Sequence, residues 1–117
     1  MESRCWGQTA PDRMQAGLAL QIVSVSTGVP LEAMPRGTRL KGRACKARWL
    51  AMYLAHVAFG WTVERVGAAF GMNRSTVASA CRWAEDERDR PVLDDLLDRL
   101  ERTVREVLEA PLCELEA

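Results

Sequence analysis

Apolar residues recur at helical spacing along most of the chain, and nowhere with the period of two that marks a strand. From Ala16 onward, Leu18, Ile22 and Val25, with Ala19 and Val23 beside them, form the inward stripe of a first predicted helix. It ends near Ser26, where Thr27-Gly28 supplies a C-cap. Pro30 at a first-turn position, followed by Leu31 and Met34 and stopped by Pro35, predicts one further turn. Leu50, Tyr53, Leu54, Val57 and Ala58 fall at i, i+3, i+4, i+7 and i+8 and predict a helix over 49–59, closed by Gly60. Trp49, Met52 and Phe59 lie on its other side, so this helix is expected to be central and covered almost all round. Thr62 caps the next helix, whose inward face is Val63, Val66, Ala69 and Phe70 and whose end is Gly71. Val77, Ala80, Cys81 and Ala84 begin another pattern a few residues later. From Pro91, Leu93, Leu97, Leu100, Val104 and Val107 step by four and three until Pro111. The reading is all-α: a compact helical bundle with a loose tail over 1–15, a domain over 16–100 and an acidic helical extension over 101–117.

Two short helices joined by a three- or four-residue turn with a glycine have the geometry of a helix-turn-helix. In "AAFGMNRSTVASACRW", residues 68–83, the buried and exposed positions fall as that unit needs. Small Gly67 lies where the helices cross and Gly71 where the backbone turns, with Met72, Val77 and Ala80 packing underneath. Asn73, Arg74, Ser75, Ala78, Ser79 and Arg82 then come to the outside. Asn73 or Ser75 caps the second helix, and the same first turn, Asn73, Arg74, Ser75 and Thr76, points at base edges. Arginine pairs with guanine and asparagine with adenine through two hydrogen bonds each. Ser79 and Ala78 reach further along, Ala78 against a thymine methyl, and Arg82 is expected on phosphate.

Charge changes the picture where composition alone does not. The chain is formally neutral, yet residues 36–83 hold nine Lys/Arg and one acid, Glu64, for a net +8. Residues 84–117 hold five Arg and twelve Asp/Glu, for a net −7. The cationic part opens with "RGTRLKGRACKAR", residues 36–48, which carries Arg36, Arg39, Lys41, Arg43, Lys46 and Arg48, two glycines and no acid. It shows no apolar period and is expected to be a loop that follows a groove and holds phosphates. About five neutralised phosphates would give log affinity a slope near −4 to −5 against log salt. The acidic C-terminal part would face away from such a polyanion.

Other chemistries find little support. The cysteines, Cys5, Cys45, Cys81 and Cys113, are scattered without a CxxC pair and His56 is the single histidine, so no metal or other cofactor is expected. Reduced thiols, the lack of a membrane-spanning run and the lack of a signal segment point to the cytoplasm. Ser75, Ser79 and His56 do not form a nucleophile and base with an orienting carboxylate, so no enzyme is expected and His56 reads as structural. The aromatics fall at core spacing and form no stacking platform for RNA.

The stretch "KARWLAMYLAHVAFGWTVERVGAAFGMNRSTVASACRWAE" resembles the C-terminal DNA-binding domain, domain IV, of the bacterial replication initiator DnaA, and the resemblance extends more faintly from about Ala19 to Leu100. It implies an all-helical fold whose basic loop enters the minor groove and whose second motif helix reads the major groove. Lys46 and Arg48 match that family's loop cations, and Asn73, Arg74, Ser75 and Thr76 lie where its Asp-His-Thr-Thr string reads DNA. The family's usual Gly-Gly-Arg-Asp-His is here Gly71-Met72-Asn73-Arg74, one residue shorter, which implies a different target sequence. The initiator's ATP-binding signature, GxxxxGKS/T, does not occur, so origin melting is not expected. By its size and the missing ATPase module, the arrangement also looks similar to the DnaA-like DNA-binding part of gene-transfer-agent activators.

The expectation is a transcription regulator, an activator, that binds double-stranded DNA. The first half of the acidic helix is expected to pack on the domain. Val104, Val107, Leu108, Leu112 and Leu115 are left for a partner: RNA polymerase, a partner activator or a second copy in a homodimer. The alternative is a protein-interaction module or inhibitor that kept the fold and docks through that helix.

Overall fold

The computed structural model describes residues 9–34 and 42–116. Among these residues five α-helices follow one another: α1 (Thr9–Thr27), α2 (Gly42–Ala58), α3 (Val63–Phe70), α4 (Arg74–Glu87) and α5 (Pro91–Glu109). A 3-10 turn, Leu31–Ala33, follows Pro30 after α1. Among the described residues there is no strand, and the fold is all-α.

Helix α2 is the axis. Its Leu50 to Ala55 run is buried without a break, because α1, α3, α4 and α5 all pack against it. Its start corrects the sequence reading. Residues 42–48, expected within a loop, form its first turns: Ala47 is buried and Ala44 packs on the core, while Arg43 and Lys46 stay exposed. A helical period carried by alanines is easily missed beside so many cations.

Helix α1 also departs from expectation, at its start and in its rotation. It begins at Thr9 rather than near Ala16. Asp12, in its first turn, receives two hydrogen bonds from Arg65 of α3, at 3.0 and 2.8 Å, and Arg65 lies 4.6 Å over the ring centroid of Trp61. A partner 53 residues away supplies what the local sequence lacks. Its buried residues are Ala16, Ala19 and Val23, whereas Val25, expected inward, is 84% exposed. The small buried side chains of α1 suit its packing on α2, whose own buried residues include Ala47, Ala51 and Ala55. At the other end, Gly28 takes the left-handed conformation (φ 77°) that a C-cap requires.

Helix α5 starts with Pro91 at its first turn, where a missing N–H costs nothing. It docks by Leu97, Leu100 and Val104, all buried. Polar contacts finish the joint. Arg88, beyond α4, donates to Asp94 (2.7 Å) and Asp98 (3.0 Å), and its other Nη to Glu101. Its Nε donates to Tyr53 Oη at 2.9 Å, and Tyr53 in turn donates to Glu85 at 2.6 Å. One guanidinium therefore ties α2, α4 and α5.

Burial, with Glu85 adding to it, pushes the Tyr53 hydroxyl up to about 12 from 10.0. A folded-state pKa above the unfolded one means that the protonated phenol favours folding. The contribution is complete below pH 10 and is lost as pH rises through about 12. Tyr53 is the chain's one tyrosine, so tyrosinate absorbance reports it alone. The native midpoint is expected near 12, against 10 in denaturant, with unfolding free energy falling by up to ~2–3 kcal/mol across that window. Coincident native and denatured titrations would contradict this placement.

Candidate nucleic-acid interface

The corner between α3 and α4 is built from two glycines and one cap. Gly71 adopts φ 69° and ψ 34°, the left-handed turn that a side chain disfavours. Gly67 allows the chain to fold back: Met72 N donates to Gly67 O at 2.9 Å, and a Cβ at residue 67 would stand 2.6 Å from Met72 O. Thr62 caps α3 by accepting from Arg65 N (3.1 Å), as the sequence predicts. Asn73 caps α4: its Oδ1 accepts from Thr76 N (2.8 Å) and from Ser75 Oγ (3.0 Å). Val77, Ala80 and Ala84 face inward.

This geometry turns the rest of α4 outward. Asn73, Arg74, Ser75, Ser79 and Arg82 are exposed, and Thr76 and Ala78 are half-buried. Both lone pairs of Asn73 Oδ1 are engaged in the cap, so the two-bond pairing with adenine that the sequence suggests would require breaking it. Arg74 Nη1 lies 3.1 Å from a carboxylate oxygen of Glu64 on α3, with the two side chains 73% and 59% exposed. In the sequence Glu64 stands out only as the single acid within residues 36–83. Its position opposite Arg74 depends on how α3 crosses α4.

The basic segment divides into three parts. Arg43 and Lys46 are exposed on the first turns of α2, Arg43 also donating to Thr27 O at 2.8 Å. One turn on, the Trp49 ring meets Trp83 edge-on with centroids 5.9 Å apart, which sets this basic helix start beside α4. Arg36, Arg39 and Lys41 lie outside the described residues. Arg48 requires a correction. It is 3% exposed, and its guanidinium donates to Met34 O (3.1 Å) and to Phe70 O (2.5 Å), so it faces the interior and not phosphate. Phe70 is the last residue of α3, whose carbonyl has no helical partner, and a cation there also suits the helix dipole. Arg48 fixes the corner that presents Arg74.

At the other end, Val104 is a second correction. It is fully buried, so the docked part of α5 runs one turn past Leu100 and Val104 is closed to any partner. Val107 is exposed and Leu108 half-buried at the end of the helix. Leu112 and Leu115 follow it, exposed and without regular structure, because Pro111 ends the pattern. His56 Nδ1 donates to Trp61 O at 2.8 Å, a structural link between the end of α2 and the approach to α3. Burial, with Glu85 adding to it, pushes the Cys81 thiol up. Among the described residues no cluster of metal-ligating side chains occurs, and no helix is long and apolar enough to cross a membrane.

Residues 18–83 match the family described as the bacterial DnaA protein helix-turn-helix. A solved crystal structure of a DNA replication initiation factor aligns over 82% of this chain with a TM-score of 0.70 and 25% sequence identity. The chain covers 30% of that protein's length. No curated protein matches the chain.

Proposed function

The chain belongs to the bacterial DnaA helix-turn-helix family, and we propose that it is a cytoplasmic, sequence-specific double-stranded DNA-binding protein that regulates transcription as an activator. One observation carries the reading: the second helix of the motif turns Arg74, Ser75, Ser79 and Arg82 to solvent, while the glycine corner buries the opposite face. Arg74 reads guanine O6 and N7 in the major groove. Ser75, Thr76 and Ser79 contact neighbouring base edges, and Ala78 a thymine methyl. Asn73 serves this surface as the cap that sets the first turn. Arg43, Lys46 and Arg82 hold phosphates, and the segment before α2, with Arg36, Arg39 and Lys41, enters the adjacent minor groove. The net −7 of residues 84–117 directs the molecule so that its cationic part meets the duplex. Val107, Leu108, Leu112 and Leu115 are the apolar groups left over for RNA polymerase, a partner activator or a second copy.

Selecting duplexes from a randomised pool with the purified protein tests this directly. A recovered site is expected to bind ~10³-fold or more tightly than a random duplex of equal length at the same salt. Arg74→Ala should weaken the recovered site by ~1–3 kcal/mol and leave random DNA nearly unchanged. Equal weakening on both would assign Arg74 to phosphate. Replacing Arg43 and Lys46 by Gln should weaken both duplexes alike and reduce the salt slope by about two. Failure to enrich any sequence would overturn the reading.

A further inference from the structure

The cationic segment 36–83 contains one acid, and that acid forms an ion pair with the residue assigned to reading. Glu64 is the single carboxylate among residues 36–83, and it lies 3.1 Å from Arg74 Nη1. Neither side chain needs the other for the fold. Both are largely exposed, an exposed pair contributes at most ~1 kcal/mol, and the Thr62 and Asn73 caps hold their helix starts independently.

Resting on the DNA-binding reading above, we propose that Glu64 determines specificity by making Arg74 a poor ligand for phosphate while leaving it a good one for guanine. Guanidinium donates through two edges. Glu64 lies on the Nη1 side as an ion-pair partner, and the Nε–Nη2 edge faces away from it and can meet the two acceptors of guanine. Phosphate is attracted by net charge, and the Arg74–Glu64 pair has none. On an arbitrary duplex Arg74 therefore adds little to the counterion-release attraction that drives nonspecific binding. On the correct base, hydrogen-bond geometry decides, and Arg74 contributes. The arrangement lowers the affinity for competing DNA without removing the reading contact, which is specificity gained from the unfavourable side.

The test uses Glu64→Gln, which keeps the shape and removes the charge, on the recovered site and on a random duplex of equal length. Random-duplex affinity is expected to rise about 3–8-fold at moderate salt, with a salt slope steeper by about one. The recovered site should gain less, so the ratio between the two falls. In an Arg74→Ala background the same substitution should change random-duplex binding by less than twofold, because the cation that Glu64 restrains is gone. Glu64→Asp, which keeps the charge, should stay near wild type on random DNA. A full-sized gain persisting without Arg74 would show a general repulsion and overturn the inference. So would parallel gains on both duplexes, or no gain on either by a protein that still prefers its site. A wild-type protein that prefers no duplex overturns the function itself, a result distinct from all of these.

Discussion

Gly67→Ala is expected to lower the unfolding free energy by about 2–4 kcal/mol, although alanine is the better helix former. The added Cβ would stand 2.6 Å from Met72 O, a backbone atom that cannot rotate aside. Relief requires moving residues 71–73. That movement strains the Met72 N to Gly67 O bond at 2.9 Å and displaces the Asn73 cap. For a chain of this length the loss corresponds to ~8–20 °C in Tm, measured by helical circular dichroism. Because the corner also aims Arg74, binding to the recovered site should fall even at temperatures where the variant is fully folded, while binding to random DNA falls less. A Tm within ~2 °C of wild type would mean that the two helices do not approach this closely.

Arg88→Met should lower stability by a similar ~2–4 kcal/mol, but by loosening one element. The substitution keeps the length of the side chain and removes the charge that faces Asp94, Asp98 and Glu101. Three carboxylates are then left together on one helix, and Tyr53 Oη loses a donor. Helix α5 retains the apolar contacts of Leu97, Leu100 and Val104, so it should detach transiently more often without unfolding the rest. Amide exchange over residues 93–104 is expected to accelerate ~30-fold or more, with the buried middle of α2 far less affected. Uniform acceleration through the chain would show that Arg88 supports the global fold and not the α5 joint. An unfolding free energy within 0.5 kcal/mol of wild type would deny the network any structural weight.

These two sites differ in how much of them is legible in sequence. Gly67 and Gly71 stand out because a helix-turn-helix demands small residues at fixed offsets, and the structure shows the reason in a 2.6 Å approach and a φ of 69°. Arg88 does not stand out, since its partners lie 6, 10 and 13 residues ahead and one, Tyr53, 35 behind. The same contrast separates Arg74 from Arg48. Arg74 follows an N-cap on the outer face of a short amphipathic helix, and periodicity alone places it outside. Arg48 belongs to a run of cations, and its burial depends on carbonyls of Met34 and Phe70 that only folding brings near it.

Local spacing determined what local forces control: five helical segments, the caps at Thr62 and Asn73, the glycine corner, the outward row on α4 and the separation of a cationic part from an acidic one. Tertiary packing decided the rest. It rotated α1 onto its alanines, started that helix early on the Asp12–Arg65 pair, extended α2 back to Gly42, carried α5 past Leu100 to Val104, turned Arg48 inward and set Glu64 against Arg74. The physical reason is range: backbone conformation and amphipathic period are fixed by neighbours within a few residues. Which face is finally covered, and which charge meets which, depends on residues tens of positions away that become neighbours only in the folded chain.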